Sequence, residues 1–140
     1  MNRDIKFRVW DGFKFYYDAL VGHVANSSKM SVTYGGHQWF QIKQDVIIQQ
    51  FTGLKDRNGK EIYEGDIVTT KNNARYEVKF GEYLHRDNYN FHGEDSEHGN
   101  GWFLDGHRYN QKFGISGFDK LEVVGNIFQN PELLKEQNHE

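Results

Sequence analysis

From Arg75 to Phe80 apolar and polar residues alternate: Tyr76, Val78 and Phe80 fall on one face, and Arg75, Glu77 and Lys79 on the other. That period of two is the signature of a half-buried strand. The start of the chain shows the same pattern, with Ile5, Phe7 and Val9 alternating with Lys6 and Arg8. Asp11-Gly12 then separates this run from an aromatic run ending at Tyr17. Asp-Gly favours a two-residue hairpin turn because both positions tolerate positive φ. In that register Trp10 faces Phe13, Arg8 faces Phe15 and Lys6 faces Tyr17, which sets Arg8 beside an aromatic ring. Neither face of the hairpin is cleanly apolar, so a longer loop fits the same residues.

Thr52 to Val68 is rich in turn signals. Asn58-Gly59 is the strongest short hairpin signal in the chain, and Gly65-Asp66 marks a second turn before a strand from Ile67 to Thr70. Asn72-Asn73 makes a third turn. Upstream, Val46, Ile47 and Ile48 give a β-branched run with strand character, within a stretch from Asp45 to Phe51. The pattern between Val21 and Gln44 is weak: Met30–Tyr34 and Gln38–Ile42 read as strands around Gly35-Gly36, with a loop at Asn26-Ser27-Ser28. His85 to Gly101 is polar and loop-like, Trp102–Leu104 is a short apolar island, and Asp105-Gly106 is a further turn. Leu121–Phe128 is a last strand, broken at Gly125. Asn130-Pro131-Glu132 then predicts a helix of about two turns, with Asn as cap, Pro at the first helical position and Glu at the positive end of the dipole. It would have to pack through Leu133 and Leu134 to persist.

Short strands with frequent turns predict a mostly β fold, a small barrel or sandwich-like core of which an SH3-like barrel is one form, with hairpins and a short C-terminal helix. No heptads and no internal repeat are present. The expected organisation is an N-terminal hairpin region with loops over 1–50 and a β core over 51–140, carrying a polar insertion near 85–101. The two fit one domain as well as two.

Composition changes the picture in a few respects. The chain has 140 residues, of which 36% are hydrophobic and 16% aromatic, so large rings stand in for aliphatic core residues and the chain folds. One Pro against 15 Gly suits tight turns between strands. Cysteine is absent, which removes disulfides and thiolate metal sites and suits a reducing cytoplasm. The charged N-terminus is not a signal peptide, and no apolar run reaches membrane-spanning length, so no membrane partner is expected. A net charge of −3 lowers the expectation of nucleic-acid binding without removing it.

Three segments together resemble the YopX-like phage and prophage protein family. They are Ile5-Lys-Phe-Arg-Val-Trp-Asp11, then Gln50-Phe-Thr-Gly-Leu-Lys-Asp-Arg-Asn-Gly-Lys-Glu-Ile-Tyr-Glu-Gly-Asp-Ile-Val68, and Glu122-Val-Val-Gly-Asn-Ile-Phe-Gln-Asn-Pro-Glu-Leu-Leu134. Their order and spacing span almost the whole chain; Val21–Gln44 and His85–Gly117 match weakly. The resemblance implies a mostly β fold, an intracellular protein of the bacterial host made during infection or induction, and no catalytic residue to carry over.

Candidate chemistry is sparse. His85, His92, His98 and His107 lie among Asp87, Glu94, Asp95, Glu97 and Asp105, which are ligand types for a divalent metal, but their spacings match no compact metal motif. In a Gly- and Asn-rich stretch such polar composition is expected, and a solvated, mobile loop is the favoured reading. Glu61, Glu64 and Asp66 would need raised pKa values for acid–base work; Asp66 sits in a turn where its side chain bonds backbone amides, and the two glutamates are expected at the surface. No nucleophile signature, P-loop or dinucleotide fingerprint appears. The best binding hint is the interleaving of bases and rings: Lys6, Arg8, Trp10, Lys14 and Phe15 at the start, and Arg75, Tyr76, Lys79 and Phe80 later, with Lys55, Arg57, Lys60 and Lys71 nearby in sequence. Such groups stack bases and neutralise phosphates when exposed, whereas in a core the cations snorkel around buried rings.

The leading expectation is therefore a non-enzymatic accessory protein without a cofactor, acting in the cytoplasm by binding itself as a homo-oligomer or another protein. A nucleic-acid-binding module using Lys6, Arg8, Trp10, Lys14, Arg75 and Lys79 is the alternative. A metal-dependent enzyme on the histidine loop ranks last.

Overall fold

The computed structural model describes residues 5–23, 30–33, 40–41, 47–71, 73–85, 97–106, 112–118 and 120–135. These are mostly strand: β1 (Phe7–Trp10), β2 (Phe15–His23), β3 (Met30–Thr33), β4 (Phe40–Gln41), β5 (Ile47–Lys55), β6 (Glu61–Tyr63), β7 (Asp66–Thr69), β8 (Arg75–His85), β9 (Glu97–Asp105), β10 (Lys112–Gly114) and β11 (Glu122–Asn126). A 3-10 turn at Ile115–Gly117 and a short helix α1 (Glu132–Lys135) complete them. One sheet has the order β4-β3-β2-β1-β5-β6 and the other β10-β9-β8-β7-β11. The expected mostly β class with a short C-terminal helix is the class observed. The chain divides into two compact units, Met1–Gly53 and Leu54–Glu140, with β5 running across the boundary.

In the first unit β1 is flanked by β2 and β5, both antiparallel to it. The β1–β2 hairpin has a four-residue loop, Asp11–Lys14, rather than the predicted two-residue turn: Trp10 pairs with Phe15 and Arg8 with Tyr17. The Asp11 carboxylate decides this. Its Oδ1 accepts the N–H groups of Phe13 (2.8 Å) and Lys14 (2.9 Å), and Asp11 N donates to the Lys14 carbonyl, so the loop closes at Lys14. A register shift of two keeps side-chain parity, so Arg8 remains on the face that carries Phe15. Further along, Phe7 pairs with Ala19 while Arg8 pairs with Tyr17, so Asp18 is the extra residue of a bulge. The strands expected at Met30–Tyr34 and Gln38–Ile42 appear as β3 and β4; the loop expected at Asn26–Ser28 and the Gly35-Gly36 pair lie outside the described residues.

In the second unit the core gathers Ile62, Val68, Tyr76, Val78, Leu104, Ile115 and Leu121, with Trp102, Phe113, Phe118 and Val123 packed on them. Phe113 meets Tyr76 edge-on at 6.0 Å and Phe118 at 5.9 Å, so three rings fill space that aliphatic residues would otherwise occupy. β8 and β9 pair from Glu77↔Asp105 out to His85↔Glu97. The polar insertion expected from residue 85 is therefore shorter, because Glu97–Gly101 is already strand. A two-stranded ribbon satisfies its backbone through the ladder and needs no apolar face, so its sequence lacks the alternation of a half-buried strand.

The chain end differs from expectation in detail. β11 is bulged between Val123 and Gly125, where a break was expected. Asn126 then closes a turn by accepting Phe128 N and Gln129 N on its Oδ1. The Asn130 side chain reaches back to Asn126 N (3.3 Å), while its carbonyl accepts Leu133 N. The α1 helix has one described turn where two were expected, and Leu133 and Leu134 are half-buried. Arg75 Nη1 donates to the Leu133 carbonyl at 3.0 Å and ties the helix to β8.

Candidate interaction surfaces

Each turn of the central segment is built by one acid. Asp56 Oδ1 accepts the N–H groups of Asn58 and Lys60, and its Oδ2 accepts Val123 N (2.9 Å) on β11. Burial alone pushes this carboxyl up, but the three donors outweigh it and hold its pKa below the ordinary aspartate value. Asp66, almost fully buried, accepts Tyr63 N at 2.8 Å, as its place in a turn predicts. Glu61 and Glu64 are half-buried rather than exposed, and Tyr63 donates its hydroxyl to Glu61. These acids are structural. Sequence reasoning passed over Asp56, whose signal was an aspartate two residues before Asn58-Gly59, where an Asx turn is set.

The predicted basic and aromatic residues fall in different places. Arg8 is only 2% exposed: its Nε donates to Gln49 Oε1 at 2.9 Å and its guanidinium lies 4.1 Å from the Phe15 ring centre. Lys6 sits over Phe51 (5.4 Å) and Lys14 over Tyr16 (4.8 Å). Trp10 packs on Phe15 at 4.8 Å. Arg75 holds the α1 helix, and Lys79 pairs with Asp105 at 2.8 Å. Burial depresses the Lys79 pKa, and the Asp105 hydrogen bond with the charges of Glu77 and Asp105 more than reverses this, leaving it raised. Lys6, Arg8, Trp10 and Lys14 thus share the first unit, and Arg75 and Lys79 share β8 of the second. Lys14, Lys55, Arg57, Lys60 and Lys71 are exposed.

What the strands do leave exposed is apolar. Phe13, at the tip of the β1–β2 hairpin, is 89% exposed. Behind it Tyr17, Leu20 and Ile47 are also exposed. Tyr17 and Ile47 are register partners of Arg8 and Trp10, so they share one sheet face with them. In the second unit Phe80 keeps the face predicted for it with Tyr76 and Val78, but it is 57% exposed where Val78 is wholly buried. β7 pairs in register with β8 only as far as Glu77, and the Trp102 ring meets Phe80 edge-on at 4.8 Å. The next pair, Gly81↔Gly101, has positive φ on both strands.

Of the histidine cluster, His92 and His107 with Asp87, Glu94 and Asp95 lie outside the described residues. His85 pairs in register with Glu97, and His98 with Leu84. Asp105 is engaged by Lys79. Among the described residues no group of three or more His, Asp or Glu is placed to hold a metal ion, and no helix is long and apolar enough to cross a membrane.

A two-unit antiparallel β protein with turn-setting acids and protruding aromatic side chains is the class these features define. The chain belongs to the YopX family: the family model described as YopX protein matches residues 6–135. Among solved structures it is similar to the crystal structure of protein EF1440 from Enterococcus faecalis, at 22% identity, over 95% of this chain and 99% of that one, with a TM-score of 0.54. That likeness shows the fold alone. No curated protein matches the chain.

Proposed function

We propose that this YopX-family protein is a non-enzymatic phage or prophage accessory protein that works in the host cytoplasm by binding a copy of itself or another protein. The observation that carries this reading is Phe13. A phenylalanine 89% exposed, on a loop fixed by the N–H groups of Phe13 and Lys14 donating to the Asp11 carboxylate, buries little of its ring in the fold. It has the properties of a binding anchor: a large apolar ring whose loop is already ordered, so little entropy is lost when a partner covers it. Asp11 keeps its loop-setting charge at neutral pH, because the N–H groups of Lys14 and then Phe13 hold its pKa below the ordinary value. Size-exclusion chromatography with light scattering on untagged protein tests the self-association half. Mass above the monomer at high micromolar concentration is the expected result, and a strict monomer sinks that half. Capture from infected cells with wild-type protein and a Phe13→Ser control tests the other half; a protein lost with Phe13 supports it.

The second reading, nucleic-acid binding by the first unit, draws on its charge. Up to Gly53 the sequence holds six Lys and Arg against four Asp and Glu, with Lys14 exposed beside Phe13. It predicts low-salt anisotropy changes of labelled oligonucleotides that vanish as salt rises.

A further inference from the structure

We infer that one end of the second unit's sheet, where the Thr70–Ala74 loop joins β7 to β8, binds the phosphate backbone of duplex nucleic acid. The inference goes beyond both readings above, since every residue it uses lies in the second unit and none belongs to the basic and aromatic set of the first. Three segments meet at that end. β11 enters the sheet at Glu122 opposite Thr69, which sets Lys120 and the Thr70–Ala74 loop side by side. The Asp56–Lys60 loop docks on the entry to β11. Arg57 N donates to the Leu121 carbonyl at 2.8 Å, Val123 N donates to Asp56, and Asn58 Nδ2 donates to Glu122 Oε1 at 3.2 Å. Lys55, Arg57, Lys60, Lys71 and Lys120 are exposed on these segments. Among the described residues none of the five is held in an ion pair.

Charge selects the partner. The second unit has eleven basic against sixteen acidic residues, so five exposed cations at one end of its sheet are a separation of charge within an acidic unit. The described acids beside them are occupied. Asp56, whose charge Lys60 offsets, is buried and accepts three backbone N–H groups. Glu122 and Glu61 are half-buried and accept the Asn58 amide and the Tyr63 hydroxyl. Asp119 lies outside the described residues. Other acids stand away from this end: Asp66 pairs with Asn126 at the far end of β7, and Glu97 pairs with His85 at the far end of the β8–β9 ribbon. A positive end on a negative unit draws a polyanion to that end alone. Duplex nucleic acid is such a polyanion, with a charge about every 1.7 Å along its axis. The Asp56 loop has its backbone already fixed, and the Arg57 guanidinium fork matches phosphate oxygens. The exposed large apolar side chains of these segments are Leu54 and Val124, neither of them a ring. Base stacking is therefore not on offer there, and a duplex backbone suits this end better than a single strand with splayed bases.

Fluorescence anisotropy of a labelled, mixed-sequence DNA duplex titrated with the full chain tests this. Binding at low salt is expected, with log K falling against log salt by about 0.9 for each phosphate contacted. Arg57→Gln with Lys120→Gln in one chain is expected to flatten that slope by about two, and Lys60→Gln with Lys71→Gln to do the same. The Arg57 backbone N–H that reaches Leu121 survives its substitution. Circular dichroism reads whether each variant folds, and the second pair keeps the test valid if the first does not. An unchanged anisotropy at low salt overturns the inference. So does binding that keeps the wild-type slope in both folded variants; if that binding is then lost on Lys14→Gln, the duplex belongs to the first unit and the second reading above stands without this one. Phosphatidylglycerol vesicles bound in place of the duplex overturn it too, and assign the basic end to a membrane surface.

Discussion

Two five-residue loops show how far a single side chain governs this fold. Asp56–Lys60 and Thr70–Ala74 close with the same pair of backbone bonds: the first residue's N–H to the fifth residue's carbonyl, and the fourth residue's N–H to the first carbonyl. The fourth residue has positive φ in both, Gly59 at +83° and Asn73 at +63°. Glycine adopts that region freely and asparagine tolerates it, which is why Asn-Gly and Asn-Asn marked these places. Gly59→Ala should destabilise by roughly 1 kcal/mol in urea titration, whereas Asn73→Gly should change little. Asp56 carries more. Replacing it by Ala leaves three backbone donors without their charged acceptor, a cost of about 3 kcal/mol. Its folded pKa is lowered, so its contribution is complete above the unfolded value and is lost as pH falls through the folded one. Wild-type stability should therefore drop below about pH 5, and Asp56→Ala should flatten part of that slope. An unchanged slope would mean Asp56 is not the group responsible.

At the level of elements, the β8–β9 ribbon changes character along its length. Near Glu77 it is the centre of a five-stranded sheet, and past Phe80 it stands without β7. Identical alternation thus has opposite consequences at its two ends. Val78 and Leu104 are register partners and wholly buried, while Phe80, two residues on, faces out. Leu104→Ala should cost about 2–5 kcal/mol by opening a cavity in the core. Phe80→Ser should leave thermal stability within about 0.5 kcal/mol of wild type, as surface positions do. Equal losses at both sites in thermal unfolding would show that the ribbon end is covered after all. Lys79 lies on the opposite face and is held by Asp105, so the alternation of Arg75, Glu77 and Lys79 marks a row of internal partners.

Over the whole molecule, the YopX match from residue 6 to 135 covers both units, so the first unit belongs to the family pattern. The charge of −3 hides a basic first unit and an acidic second one, a division that is visible only once the boundary at Gly53 is known. On this scale the self-association proposed above is expected to show as an average mass that rises with concentration above the 16.5 kDa of one chain. A constant monomer mass at high micromolar concentration would overturn that proposal.

The sequence by itself determined the mostly β class, the turns at Asn58-Gly59 and Gly65-Asp66, the local role of Asp66 and the family. Each rests on interactions between residues near in the chain, or on a pattern that a strand must have to bury one face. The loop length at Asp11, the burial of Arg8 against Gln49, the link from Asp56 to Val123 and the exposure of Phe80 were decided by the tertiary structure alone. Arg8 lies 41 residues from Gln49 and Asp56 lies 67 from Val123, distances over which period and propensity carry no information. A side chain's alternation tells which face it takes, and only the neighbouring strand decides whether that face is covered.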